Sequence, residues 1–136
     1  MASKKSLVAV LTLCCLFQTA TADDIELSQQ FSACMEKSGG VTVDMLDCIG
    51  AETKRQDTRL NKVYKEVMAQ LSPARNKELQ AAQRAWIKFR DANCNYYADP
   101  EGGTMATVSS NDCFMTATAS RAKELEGFKE LEGLKK

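Results

Sequence analysis

Six cysteines and no histidine bound the chemistry open to this chain of 136 residues. Without His there is no Ser–His or Cys–His dyad, no His metal site and no proton switch near neutral pH. A cysteine does nucleophilic or metal-binding work only as a free thiolate. Cys34, Cys48, Cys94 and Cys113 are 14, 46 and 19 residues apart, and no pair forms C-x-x-C. Zinc-ribbon, thioredoxin-like and haem-attachment readings therefore fail. The 18 carboxylates could in number supply the paired acids of a glycosidase. Glu124, Glu126, Glu130 and Glu132, however, fall in a helix end expected to fray, where they read as a solvated face. There is no Gly-rich phosphate loop, no nucleophile elbow and no oxygen-ligand Ca²⁺ loop. The expectation is a protein that is not an enzyme, with no catalytic residue, no metal and no cofactor.

Compartment decides what the cysteines do. Lys4 and Lys5 precede the apolar run Leu7–Phe17, followed by Ala20-Thr21-Ala22. A positive start, a run too short to span a membrane and an A-x-A site make a secretory signal peptide of residues 1–22, cleaved near Ala22. Cys14 and Cys15 leave with it. They follow Leu13 and Cys14, where lipid attachment wants a small residue, so a soluble exported protein is favoured over a lipoprotein. The remaining 23–136 reads as a single domain with 16 basic and 18 acidic groups, net −2, which offers no footprint for nucleic acid. Four cysteines in an exported chain imply two disulfides. The local pairing Cys34–Cys48 and Cys94–Cys113 is expected, with the crossed and nested pairings still open.

The elements that must position these residues are helical. Period-two runs are missing, and Pro73 and Pro100 are the only prolines. The apolar spacing predicts a first helix from about Asp24 to Lys37, ended by Gly39-Gly40. A long second helix runs from about Asp44 to Leu71 with the stripe Leu46, Ile49, Leu60, Val63, Tyr64, Val67 and Leu71. Ser72 and Pro73 start a third helix, which runs to about Tyr96 with Leu79, Ala82, Trp86 and Phe89 on one face. After Asp99-Pro100-Glu101-Gly102-Gly103, a fourth is expected from Ser109 or Ser110, carrying Phe114, Ala117, Leu125, Phe128 and Leu131. The fold class is therefore all-α: a small antiparallel bundle of three to four helices stapled by two disulfides, with the second and third helices as a hairpin.

Two segments stand out. Glu52–Arg59 is polar throughout inside the second helix, and the stripe is expected to cross it at Thr53 and Asp57, where the bundle is thin or wet; the alternative is a polar groove that binds a ligand. The C-terminal repeat Lys123–Phe128 and Lys129–Leu134 contains Gly127 and Gly133, each costing about 1 kcal/mol of helix stability. That end is expected to fray. No helix after the signal peptide is read as pairing an apolar with a Lys/Arg-rich face, so no stable membrane insertion is expected. A binding role suits the chain best. The irregular segment Tyr96–Val108, with Tyr96, Tyr97, Asp99, Glu101, Gly102, Gly103 and Met105, is the candidate contact for a protein partner.

The order Cys48, Asp57-x-x-Leu60-Asn61-x-x-Tyr64, Leu79-x-x-x-Gln83-x-x-Trp86-x-x-x-Arg90-Asp91-x-x-Cys94, Gly102-Gly103-Thr104, Cys113 and Arg121 resembles the LprI-like family, from about Cys34 to Leu125. That family is named for a mycobacterial lysozyme-inhibiting lipoprotein. The resemblance implies a helical exported domain and inhibition of lysozyme, or of a related peptidoglycan-cleaving enzyme, by direct contact. Unlike the namesake, this chain lacks a good lipid-attachment site. The alternative is a structural or accessory envelope protein, an immunity or complex-forming factor. The matched residues Asp57, Leu60, Asn61, Tyr64, Gln83, Trp86, Arg90 and Asp91 read as structural. Trp86 and Tyr64 are expected in the core. Arg90 and Asp91 are expected to pair with neighbouring elements such as Asp57, Asn61 or the Gly102-Gly103 backbone. A site built from Asp57, Asn61, Gln83 and Arg90 is the second candidate.

Overall fold

A computed structural model describes residues 25–133 and Lys135. The signal-peptide reading, with Cys14 and Cys15, lies outside the described residues. Ile25–Leu27 runs without helix into Ser28, whose hydroxyl accepts the Phe31 N–H at 3.1 Å and so caps helix α1, Gln29–Ser38. The helix thus starts later than Asp24. It stops at Gly39, whose φ of +55° is the left-handed conformation that glycine adopts without strain. The long helix α2 spans Thr42–Met68. Helix α3 spans Pro73–Tyr96, with the Ser72 hydroxyl accepting the Arg75 N–H and Pro73 in the first turn.

Helix α4 spans Gly103–Gly133 and departs from expectation at both ends. It starts six residues before Ser109, because Ala106 and Val108 are buried and draw the segment into helix. It also continues through Gly127 to Gly133 instead of fraying early. Leu125 is buried, Phe128 packs on the core, and Lys129 reaches Glu66 on α2 at 2.7 Å. Packing outweighs the two glycines, as it commonly does for helices in proteins.

Among the described residues the fold is all-α, with no strand. The most extensive packing joins α2 to α4, which run parallel: Ile49 meets Val108 and Met115, while Leu60, Val63 and Val67 meet Ala122 and Leu125. α1 runs back along the start of α2, with Phe31 and Met35 on the Ile49 cluster. α3 returns between α2 and α4 in sequence but leans mainly on α4, rather than forming a tight hairpin with α2. On it only Leu79 and Cys94 are buried. Phe89 and Ala82, expected on the core face, are exposed. The inward line is Leu79, Gln83, Trp86, Arg90 and Cys94, whose polar members conceal it from a search for apolar periodicity.

The disulfides are Cys34–Cys48 and Cys94–Cys113, the local pairing. Each joins consecutive helices and closes a loop, worth roughly 3 kcal/mol in the chain-entropy account.

Candidate functional site

The α3–α4 connection is built over the second disulfide. Cys94 is wholly buried, and its carbonyl accepts the Ser110 hydroxyl at 3.0 Å. Beyond it the Tyr97 N–H returns to the Cys94 carbonyl and the Ala98 N–H to that of Asn95. The Asp99 carboxylate then accepts the Glu101 N–H at 2.9 Å, an Asx turn, while the Asp99 carbonyl accepts the Gly102 N–H. A Cβ on Gly102 would lie 2.7 Å from the Ala106 Cβ, so the residue must be glycine for the turn to close onto α4. Gly103 follows at φ +65°.

The connection outside the helices is thus only residues 97–102. Tyr96 belongs to α3, and Gly103 to Val108 belong to α4, so the expected irregular segment is shorter and better ordered than its sequence implied. It is also prominent. Tyr96 is 84% exposed, Tyr97 47% and Met105 54%, and the two Tyr rings meet edge-on at 6.1 Å. Asp99 and Glu101 are exposed beside them. Two aromatic rings, a thioether and two carboxylates project from the turn and the helix ends that flank it, above a disulfide, a good geometry for contacting a protein at low entropic cost.

The second candidate comes together only in part. Asp57 and Arg90 line one shallow cleft of about 450 Å³ with Lys54, Asn111, Phe114 and Thr118. Asn61 does not line it; its amide donates to the Asp57 carbonyl and carboxylate, one turn back on α2. Gln83 accepts from Arg121 at 3.0 Å instead. Arg90 and Asp91 pair with each other, and Arg90 Nη1 also donates to the Thr118 hydroxyl of α4 at 3.4 Å, whereas neither reaches Asp57, Asn61 or the Gly102-Gly103 backbone. Nε and Nη2 of Arg90 both donate to one Asp91 oxygen, at 3.0 and 2.8 Å. The Arg90 guanidinium also lies 5.0 Å from the Trp86 ring centre and 5.5 Å from that of Phe114. Buried Arg121 faces the same Trp86 ring at 5.8 Å. Trp86 and Tyr64 are half-buried against the core that contains Leu60. This cluster is a stacking and hydrogen-bonding joint between α3 and α4.

Sequence reading missed the polar centre of α2. The stripe crosses the polar stretch at Glu52 and Gln56, both buried, and not at Thr53 and Asp57. The signal was register: 49, 52, 56, 60, 63 and 67 repeat at helical spacing. Glu52 Oε1 accepts the Ser28 N–H and the Gln56 amide; Oε2 accepts the Ser28 hydroxyl and Arg55 Nε. Burial by itself raises the carboxyl's pKa. The donors from Ser28, Gln56 and Arg55 together outweigh burial and hold it down at about 2. Gln56 and Arg59 also donate to the Glu26 carbonyl, and Arg59 clamps Glu126 of α4 through two bonds of 2.7 and 2.6 Å. These contacts strap residues 26–28 onto α2. Among the described residues no group of acids and thiols is placed to hold a metal ion, and no helix is long and apolar enough to cross a membrane.

Comparison with known proteins agrees with this architecture. The family model described as "Lysozyme inhibitor LprI" matches residues 34–125, from the first cysteine of the fold to the buried Leu125. An uncharacterized protein of Rhizobium meliloti is 30% identical over 99 residues, covering 62% of this chain and 70% of the relative. No solved structure matches. A family model that spans most of the helical domain and both disulfides places the chain in the LprI family.

Proposed function

We propose that this protein is exported, loses residues 1–22 as a signal peptide, and works in the periplasm or outside the cell as the single domain 23–136. We propose further that it inhibits a lysozyme or a related peptidoglycan-cleaving enzyme by direct contact, not by turnover. The family match over residues 34–125 is the observation that carries this reading. The two disulfides are in keeping with an oxidising compartment.

The contact is assigned to the α3–α4 connection. Tyr96, Tyr97 and Met105 supply apolar area, Asp99 and Glu101 steer toward a cationic enzyme, and Gly102 and Gly103 shape the turn. An exposed turn braced by a disulfide is suited to entering or covering a saccharide-binding cleft, because little order remains to be imposed on binding. The family-motif residues Asp57, Leu60, Asn61, Tyr64, Gln83, Trp86, Arg90 and Asp91 serve the scaffold.

The test is clearance of a peptidoglycan suspension by several lysozyme types in the presence of purified 23–136. Inhibition that is lost in a folded Tyr96→Ala/Tyr97→Ala variant supports the assignment. No inhibition by the native protein at micromolar excess removes the lysozyme reading. Co-purification from envelope extracts then addresses the alternative, since recovery of an envelope complex without a muramidase favours an accessory role.

A further inference from the structure

The inward line of α3 meets α4, but the opposite line has no partner among the described residues. Ala81, Ala85, Phe89, Ala92 and Tyr96 follow one another at steps of four, four, three and four, and all are exposed. Phe89 is 67% exposed and Tyr96 84%. Single exposed apolar residues are ordinary; a line of them over four turns of one helix, anchored by two aromatic rings, is not.

The charges on α3 add an independent observation. Its two acids are both engaged, Glu78 with Arg75 and Asp91 with Arg90. Lys77, Arg84 and Lys88 remain, and none forms an ion pair among the described residues. At spacings of seven and four they form one row alongside the apolar line. Contrary to the sequence reading, α3 therefore does set an apolar line beside a basic one. A second copy stacked through this face would bring cations against cations, or against a flank whose acids are already used. An acidic partner would satisfy row and line together.

We infer that the outer face of α3 docks an amphipathic, acidic helix of a partner protein, over the roughly 22 Å that Ala81 to Tyr96 span at 1.5 Å per residue. The alanines let the partner backbone approach, Phe89 and Tyr96 are the anchors, and Lys77, Arg84 and Lys88 pair with its carboxylates. This surface meets the turn assigned to lysozyme at Tyr96, but Phe89 and the basic row lie outside that turn, and the inference does not depend on that assignment.

The experiment places photoreactive benzoylphenylalanine at position 89 of the full chain in the cell that makes it, and sequences the cross-linked peptide. The expected product is a protein segment with apolar residues at steps of three and four and an excess of Asp and Glu. The cross-link is expected to be lost in the Lys77→Glu/Arg84→Glu/Lys88→Glu variant and kept in Lys77→Arg/Lys88→Arg. All three side chains are exposed, so folding should persist; circular dichroism checks this, and Lys77→Gln/Lys88→Gln gives a milder second variant expected to weaken the cross-link. Cross-linking to a second copy, to lipid or to a segment without the acidic pattern overturns the inference. So does an absent cross-link, or one indifferent to charge reversal. Lysozyme inhibition, where present, is expected to survive the reversal; its loss would put the enzyme itself on this face and overturn a separate acidic partner.

Discussion

At the scale of single residues, Glu52 carries more of the fold than its polar neighbourhood suggests. It satisfies the Ser28 N–H and hydroxyl at the start of α1 and is itself satisfied by Gln56 and Arg55. Replacing it by Ala strips four donors of their acceptor in a buried setting, and a loss of about 1–3 kcal/mol is expected in chemical denaturation. The pH dependence follows from the sign of its shift. Its folded pKa is about 2 against an ordinary 4.5, so the unfolded chain binds the proton first as pH falls. The stabilisation is full above about 4.5 and is lost progressively toward 2. Wild type and Glu52→Gln should therefore differ in melting temperature at pH 7, and the gap should narrow as pH drops through that window. A gap constant with pH would mean that the charge of Glu52 is not what stabilises. Arg90 offers a second test. Arg90→Ala removes its stacking with Trp86 and Phe114, at about 0.5–2 kcal/mol. Melting temperature should fall, while lysozyme inhibition by the folded variant should stay intact.

At the scale of elements, the α3–α4 connection depends on the bond beneath it. Cys94→Ser/Cys113→Ser should cost roughly 3 kcal/mol of stability and raise hydrogen exchange at residues 97–106. Gly102→Val adds a Cβ where 2.7 Å separates that position from Ala106. The turn must shift, so inhibition should drop by more than the accompanying fall in melting temperature explains. The same scale shows where reading apolar periodicity falls short. The bounds of α3, from the Ser72 cap and Pro73 to Tyr96, are legible in the sequence because caps and prolines act locally. Its inward face is not legible that way: apolar spacing points to Ala82 and Phe89, whereas half-buried Gln83 and Arg90 turn inward, held by hydrogen bonds and ring contacts instead of hydrophobicity. The start of α4 is not legible, because Gly102, Gly103, Thr104, Thr107 and Val108 are weak helix formers and the turn is held by burial of Ala106 and Val108.

At the scale of the whole molecule, the parallel α2–α4 pair is the axis, and α1 and α3 are fastened to it covalently through disulfides and by polar straps. Inhibition of a cationic lysozyme, if steered by Asp99 and Glu101, should weaken with ionic strength through its association rate. Asp99→Asn/Glu101→Gln should slow association at low salt and flatten that salt dependence, as stopped-flow kinetics would show.

The chain by itself determined the elements that local chemistry governs: helices marked by caps, Pro73 and the Gly39 stop, an all-α class from the missing period-two pattern, and two bridges from four cysteines. It also carried the family motif from Cys48 to Arg121. Only the tertiary structure decided which polar residues face inward. Glu52, Gln56, Gln83, Arg90 and Arg121 lie on core-facing lines because partners distant in sequence satisfy them, and no local pattern encodes those partners. For the same reason the exposed line of α3 became visible only once α4 was seen to cover the other side.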